Sequence, residues 1–333
     1  MLNRMALNVA TLVTLLASTG LRAQTIELKV SHYLPPNHTV QKTLEAWGED
    51  LDKRSGGRLK LKIYPASQLG PVQRQFDLAR NSQADLAVGL TGATPGRFPL
   101  TEIASLPFVT AAGGATSAVA SRRLTELAPK YLAKEYDGLH VLWAGVSPAV
   151  GFFTARREVK SVGDLRGLKM RFQGEQNAKI LRALGAVPLQ VPPGEVADGL
   201  NKGVIDGALF NYEAAESFGL GPVAKFVEEP AFTAATLTLV MNEAKYQALP
   251  ADLKAIVDET TGPAAAEALG RRWDAAESHG RDYMIAAKAT VWTLAPAELD
   301  KMKAALQPIV AEAVDAIERS GKPAKAMLEE YRR

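Results

Sequence analysis

The stretch from residue 26 to residue 89 alternates strand and helix signals, and this grammar constrains the fold more than any other feature of the chain. Ile26-Glu27-Leu28-Lys29-Val30 alternates apolar and polar side chains, the period-2 pattern of a strand. After the loop Leu34-Pro35-Pro36-Asn37-His38, a cap at Asn37 or Thr39 opens a helix whose Val40, Leu44, Trp47 and Leu51 share one face, with Trp47 placed in the core. Ser55-Gly56-Gly57 ends that helix. Leu59, Leu61 and Ile63 alternate in a second strand, Gly70-Pro71 opens a helix through Asn81, and residues 85–89 form a buried strand. Strand, helix, strand, helix, strand implies parallel pairing through right-handed crossovers. Residues 139–146 add a further strand.

A second unit repeats the grammar. It runs through a strand at 168–172, a helix near 175–184, a strand at 187–191, a short helix from Glu195 and a strand at 204–210. The β-rich run 234–241 is placed to return the chain to the first sheet. Beyond Pro250 the pattern is mostly helical, interrupted by Gly262 and Pro263, with a short strand at 290–294 before the Pro296 helix. No low-complexity linker separates the units, so strands crossing between them are expected to join them. Two α/β lobes of this kind enclose a cleft that closes on a ligand.

Residues 1–23 read as a secretory signal peptide: Arg4 at the start, an apolar run to Leu21, and Ala23 at the cut. The alternative is a membrane anchor, but the run holds Asn8 and several hydroxyl residues and falls short of the roughly 20 apolar residues a span needs. Cleavage removes Arg4 and Arg22 and no acid, so the net charge falls from +3 to +1. The mature chain is expected to be periplasmic, without membrane insertion. With no cysteine there is no disulfide, thiol catalysis or lipidated cysteine. The absence of a basic stripe argues against nucleic acid as a partner.

No Gly-x-Ser-x-Gly elbow, phosphate-binding Gly-rich loop or Gly-x-Gly-x-x-Gly is present. His32, His38, His140 and His279 lack metal-ligand spacing, so neither metal nor cofactor is expected. His38 has two readings: it lines the cleft, or it bonds the backbone of its Pro-rich loop. Arg171 stands out because it falls at the end of the 168–172 strand, where a planar fork of donors suits a carboxylate. The run Thr91-Gly92-Ala93-Thr94 follows the C-terminal end of the third strand, where α/β sheets bind ligands. Trp143 reads as core.

Four separated motifs carry a family resemblance: Ile63-Tyr64-Pro65-Ala66-Ser67-Gln68-Leu69-Gly70, Gly96-Arg97-Phe98-Pro99-Leu100 leading to Leu106-Pro107-Phe108, Asp164-Leu165-Arg166-Gly167-Leu168-Lys169-Met170-Arg171, and Gly203-Val204-Ile205-Asp206-Gly207. In this order they resemble the solute-binding proteins of tripartite ATP-independent periplasmic (TRAP) transporters, the dicarboxylate-binding family, over essentially the whole mature length. The resemblance implies a periplasmic-binding-protein-like α/β fold of two lobes, two crossing hinge strands and a long helix spanning both. The boundaries are then 24–148 plus 235–275 for lobe I and 149–234 plus 276–333 for lobe II. Arg171 falls on the family's carboxylate-binding arginine. The family's ligand-contacting asparagine maps to Asn211, although many members carry it one residue earlier, where this chain has Phe210. Phe152 and Phe153 follow Gly151 at the first crossing; one should face the cleft and one the core, with Phe153 favoured for the cleft. Glu213 is either a surface charge or a group that orients a ligand hydroxyl.

The resemblance implies a binding protein that captures an organic acid anion and delivers it to TRAP membrane subunits. The rivals are a periplasmic carboxylate-processing enzyme and a ligand-presenting sensory subunit. Some family members hold a second arginine near the first strand of the second lobe, but here 149–154 carry none. That loss, with Phe210 in place of the usual asparagine, leaves a second carboxylate without a charge partner and adds apolar surface. A monocarboxylate with an apolar or aromatic body is expected; the alternative is a short dicarboxylate.

Overall fold

The computed structural model describes residues 25–110 and 115–333. The expected signal peptide therefore lies outside the described residues. Among these, eleven strands run in chain order: β1 (Ile26–His32), β2 (Leu59–Tyr64), β3 (Leu86–Leu90), β4 (Leu139–Val146), β5 (Gly151–Thr154), β6 (Lys169–Phe172), β7 (Val187–Gln190), β8 (Gly207–Phe210), β9 (Phe226–Glu229), β10 (Thr236–Asn242) and β11 (Thr290–Thr293).

They form two sheets, one per lobe. The first has the order β2-β1-β3-β10-β4, with β1 parallel to β2 and β3, as the strand–helix alternation predicts. β10 enters antiparallel between β3 and β4. The second has the order β11-β9-β5-β8-β6-β7. The chain crosses between lobes from β4 to β5 and back from β9 to β10, with no flexible tether at either crossing.

The helix Thr39–Arg54 shows how local sequence builds the first lobe. His38 caps it with extended backbone, its Nδ1 accepting the Val40 N–H at 3.1 Å. Val40, Leu44 and Leu51 are buried on one face, as the spacing requires. Trp47 only packs against the rim of that core and spends its indole N–H on Thr260 Oγ1, 2.9 Å away.

A 25-residue helix, Gly262–Ala286, about 37 Å long, runs behind both lobes. Two bare glycines allow its close approach. A Cβ on Gly270 would meet the Ala118 Cα at 2.4 Å, and one on Gly280 would meet the Tyr212 carbonyl oxygen at 2.4 Å. Ala118 belongs to the helix Ser117–Leu127 of the first lobe and Tyr212 to the helix Tyr212–Ser217 of the second. The spanning helix also caps both. Asp274 accepts the Ser117 and Ala118 N–H groups at 2.8 and 3.1 Å, and Glu277 accepts those of Tyr212 and Glu213, each at 2.9 Å. Gly270→Ala must push the helix off rigid backbone. A net loss of about 2 kcal/mol is expected after the roughly 1 kcal/mol gained from helix propensity, read as a lower urea midpoint. An unchanged midpoint would show that the contact is soft.

The C-terminal region departs from the expected boundary. The helix Pro296–Arg319 starts in the second lobe, where Met302 and Leu306 join its core. Its far end, with Ala313, Val314 and Ile317, enters the first-lobe core beside Phe98 and Leu124. Met327 and Tyr331 of the helix Ala324–Arg332 lie there too, and Tyr331 bonds Thr110 at 2.9 Å. Residues 313–333 thus pack with the first lobe, because the apolar face of the helix outruns the second.

Candidate ligand-binding site

Strand ends and crossings from both lobes converge on one pocket between them. β1 delivers Tyr33 and Leu34, and β3 delivers Leu90. The crossings supply Ser147, Val150, Ala234 and Ala235, and the second lobe adds Arg171, Leu209, Phe210 and Asn211. Trp273 of the spanning helix closes the back. The cavity holds about 60 Å³, several times the roughly 10–15 Å³ that one water requires. The walls are mostly apolar, with a few polar groups at fixed places.

Arg171 sits in β6 with its side chain buried at 2 % exposure. Nε donates to the Val191 carbonyl at 3.0 Å and Nη1 to the Leu209 carbonyl at 3.2 Å, while Nη2 is buried without a partner. The guanidinium carbon lies 5.0 Å from the centre of the Phe210 ring, which backs the fork. Burial pulls the Arg171 pKa down to about 10, against a smaller upward pull from Tyr33, so the group remains a cation at neutral pH. Among the described residues no carboxylate pairs with it. A sealed cation with one free donor edge has the chemistry to accept an anion.

Asn211 lies beside it, 6 % exposed. Its Nδ2 donates to Glu277 Oε2 at 2.9 Å. That bond commits the amide nitrogen to the spanning helix while the residue lines the pocket. Burial pushes the Glu277 pKa up to about 7, opposed by the amides of Glu213 and Tyr212 and by Asn211 itself.

Glu213 is 4 % exposed, so of its two readings the surface charge is excluded. Its Oε1 accepts the Thr39 N–H at 3.0 Å, and its Oε2 lies 3.3 Å from His38 Nε2. Both readings of His38 hold at once: Nδ1 bonds the Val40 amide and the ring lines the pocket. Because Nδ1 accepts, Nε2 carries the proton and faces Glu213; burial lowers the His38 pKa and keeps the ring neutral. Glu213 from the second lobe thus latches onto the first helix of the first lobe.

Two pairs of expected contacts sit elsewhere. Phe152 and Phe153 are each 1 % exposed and line no part of this pocket. Phe152 packs with Phe232 in one core and Phe153 with Tyr212 and Val227 in another, because the second sheet is covered on both faces. The residue that does line the pocket at this crossing is Val150. Thr91 is fully buried and bonds Thr236 through its hydroxyl. Gly92 instead touches the opposite lobe, where a Cβ would come within 3.1 Å of the Gly174 Cα. Trp143 is core, as read.

The family model for bacterial extracellular solute-binding proteins, family 7, matches residues 30–316. The chain belongs to that family. This family 7 protein is similar to three solved TRAP solute-binding proteins. One, from Rhodoferax ferrireducens T118 with copurified benzoate, is 31 % identical with a TM-score of 0.87, covering 92 % of this chain and 97 % of the other. A second, from a marine metagenome, is specific for aromatic acid ligands and holds metahydroxyphenylacetate; it is 29 % identical, with a TM-score of 0.88 over 92 % and 97 % of the two chains. A third, from Bordetella bronchiseptica with (R)- and (S)-mandelate, is 28 % identical, with a TM-score of 0.85 over 92 % and 98 %. Among the described residues no helix is long and apolar enough to cross a membrane, and no group of His, Asp and Glu could hold a metal ion.

Sequence reasoning missed several residues of this family 7 pocket. Trp273 hides in a long helix whose periodicity gives it only as buried. Tyr33 follows a strand and carries no motif. Ser147 sits at the first crossing, where its Oγ meets the Pro148 carbonyl at 2.8 Å. Gln173 and Asn177 line the pocket after β6, where Asn177 Nδ2 donates to the Gln173 backbone carbonyl at 2.7 Å.

Proposed function

We propose that this family 7 protein captures a monocarboxylate with an aromatic or branched apolar body and hands it to the membrane subunits of a TRAP transporter. The observation that carries this reading is the sealed Nη2 of Arg171, an anion-seeking donor at one end of a largely apolar pocket. A second buried carboxylate would find no further arginine or lysine among the residues that line the pocket. Phe210, Phe218 and Trp273 offer faces and edges for a flat body. The bound benzoate, metahydroxyphenylacetate and mandelate of the three similar structures support the same class. Capture proceeds by closure: the ligand anion joins Arg171 while Glu213 latches to His38 and Thr39, so the closed state binds better than the open one.

The test is a melting assay on protein stripped of ligand by unfolding and refolding. Benzoate, mandelate, benzoylformate and pantoate are compared with succinate and malate. The monocarboxylates are expected to raise the melting temperature by several degrees without being consumed. Stabilisation by the dicarboxylates alone would overturn the ligand class, and turnover of a bound acid would favour an enzyme.

A further inference from the structure

At one point on the seam between the lobes, Gly92 of the first faces Gly174 of the second, and a Cβ on Gly92 would lie 3.1 Å from the Gly174 Cα. Beside that contact Glu102 reaches in from the first lobe and Gln176 from the second. Together they line a recess of about 20 Å³ next to the ligand pocket, and also a further space bounded by Gly96, Glu175 and Ala313. Each has its Oε1 sealed from solvent and without a hydrogen-bond partner. The second lobe covers the Glu102 oxygen, since a Cβ on Gly174 would come within 3.7 Å of it. Two acceptor oxygens sealed at one seam destabilise it unless a donor serves them. The simplest donor is a proton on the carboxyl itself, which sits on one oxygen and is given to the other.

We propose that closing the lobes puts a proton on Glu102, which the carboxyl donates to Gln176 across the seam, so that the protein holds its ligand better at lower pH. The inference rests on the closure step of the reading above and on no particular ligand class. Opening withdraws Gly174, Glu175 and Gln176 from Glu102 and returns the carboxyl to water. In the closed form burial, then the charges of Glu135 behind it and Glu175 across the seam, push the Glu102 carboxyl up to about 7, while the Thr91 hydroxyl pulls the other way. Glu135 stays behind when the lobes part, because it is bonded to the Leu100 and Thr101 amides of the same lobe. Glu102 therefore remains raised in the open form, but less. The other charges nearby are engaged or distant from the oxygen: Arg97 pairs with Asp77 at 2.7 Å, Arg123 bonds the Arg333 carbonyl, Lys322 acts on Glu135, and Lys179 lies one turn along the helix from Glu175. Burial keeps Tyr136 and Tyr331 of the first-lobe core neutral. The helix Pro296–Arg319 lines the further space with Ala313 and Ile317. A carboxyl whose pKa rises on closure takes up a proton as ligand binds, and affinity falls as pH climbs through the closed value.

The experiment is calorimetry between pH 6 and 8 on the mature protein stripped of ligand, with benzoate, mandelate, pantoate and succinate as probes. Wild type is compared with Glu102→Gln and Glu102→Met, which cannot titrate; two variants keep the test sharp if one folds poorly. For any probe that binds, wild-type affinity relative to either variant is expected to fall about five- to tenfold from pH 6 to 8. In buffers of different ionisation heat near pH 6.5, wild type is expected to take up about half a proton more per ligand than the variants. Opening also frees His38 to charge, which has the opposite sign, but His38 is common to all three proteins and cancels in the comparison. A ratio that stays flat with pH overturns the proposal and leaves the capture reading standing: Glu102 is then ionised, and Gln176 meets it with its amide nitrogen. Equal proton uptake by wild type and variants also overturns it. Failure of all four probes to bind overturns the capture reading, and this inference with it.

Discussion

Replacing Arg171 with alanine is expected to weaken ligand capture by about 2–5 kcal/mol, roughly 30-fold or more in affinity, the usual cost of leaving a buried charge unpaired. The anion would enter the same sealed pocket with no cation to meet it. Arg171→Lys keeps the charge but loses the fork, so it too should bind worse, since one ammonium cannot bond the Val191 and Leu209 carbonyls and still reach the ligand. Arg171→Met separates function from folding. In the ligand-free protein the native guanidinium is buried without a counter-charge, so an apolar replacement of similar length should melt at or above the wild-type temperature. Calorimetry and melting curves on the three variants decide the matter. Near-native affinity in the alanine variant would remove Arg171 from the site.

Ligand-free protein is also expected to lose stability as the pH rises from 6.5 to 8. Glu228, in β9, is 2 % exposed, with both carboxyl oxygens sealed from solvent. Burial pushes its pKa up to about 8, the charge of Glu229 adds to the shift, and the nearby Phe152 amide opposes it. An acid with a raised folded pKa holds its proton in the folded state while the unfolded chain has already released it. The folded state therefore binds more protons above the ordinary carboxyl range, and stability falls with pH until about 8. Glu102 and Glu277, both raised to about 7, act with the same sign over the lower part of this range. His32, lowered to about 4, and His38, also lowered, act oppositely, because the unfolded imidazoles bind protons that the folded ones do not. At pH 6.5 the unfolded imidazoles are still about half protonated, so that contribution fades only between about pH 6.5 and 7.5; the three carboxyls together outweigh it there and dominate above. The slope should approach about 1.4 kcal/mol per pH unit for each carboxyl while the folded form keeps its proton and the unfolded one has lost it, and fade as pH passes the folded pKa. Urea titrations at several pH values measure it, and Glu228→Gln should flatten the curve between pH 7 and 8. A curve that rises there in wild-type protein would show that Glu228 is ionised and solvated.

The first sheet was legible because its strands are either alternating or continuously apolar and are punctuated by Gly and Pro. β9, Phe-Val-Glu-Glu, gives no such signal: its Glu228 is buried against expectation for a carboxylate. The choice between Phe152 and Phe153 failed for a related reason. Alternation tells inside from outside only when one face of a sheet meets water or a cleft, and this sheet has a core on each side. Arg171 drew notice through its place in the Asp164–Arg171 motif at a strand end, and the structure buries it with Nη2 unpartnered. Glu213 and His38 were left open, since their meaning is their meeting across 175 residues of chain, which no local pattern encodes. Asp274 and Glu277 carry no local signal for the same reason.

The placement of Asp274 and Glu277 on the spanning helix bears on how the binding cycle begins. They stand three residues apart, each gripping the first turn of a helix from a different lobe, with Trp273 next to them on the same stretch. Any opening that keeps these grips swings the rims apart while the base stays put. Trp273, and Asn211 through its bond to Glu277, then remain in register whether or not the lobes are shut. An arriving acid would meet a ready-made anvil, lie flat against it, and only afterwards be met by Arg171 as the second lobe swings in and Glu213 latches onto His38 and Thr39 of the first. Recognition of the ligand's body would precede recognition of its charge.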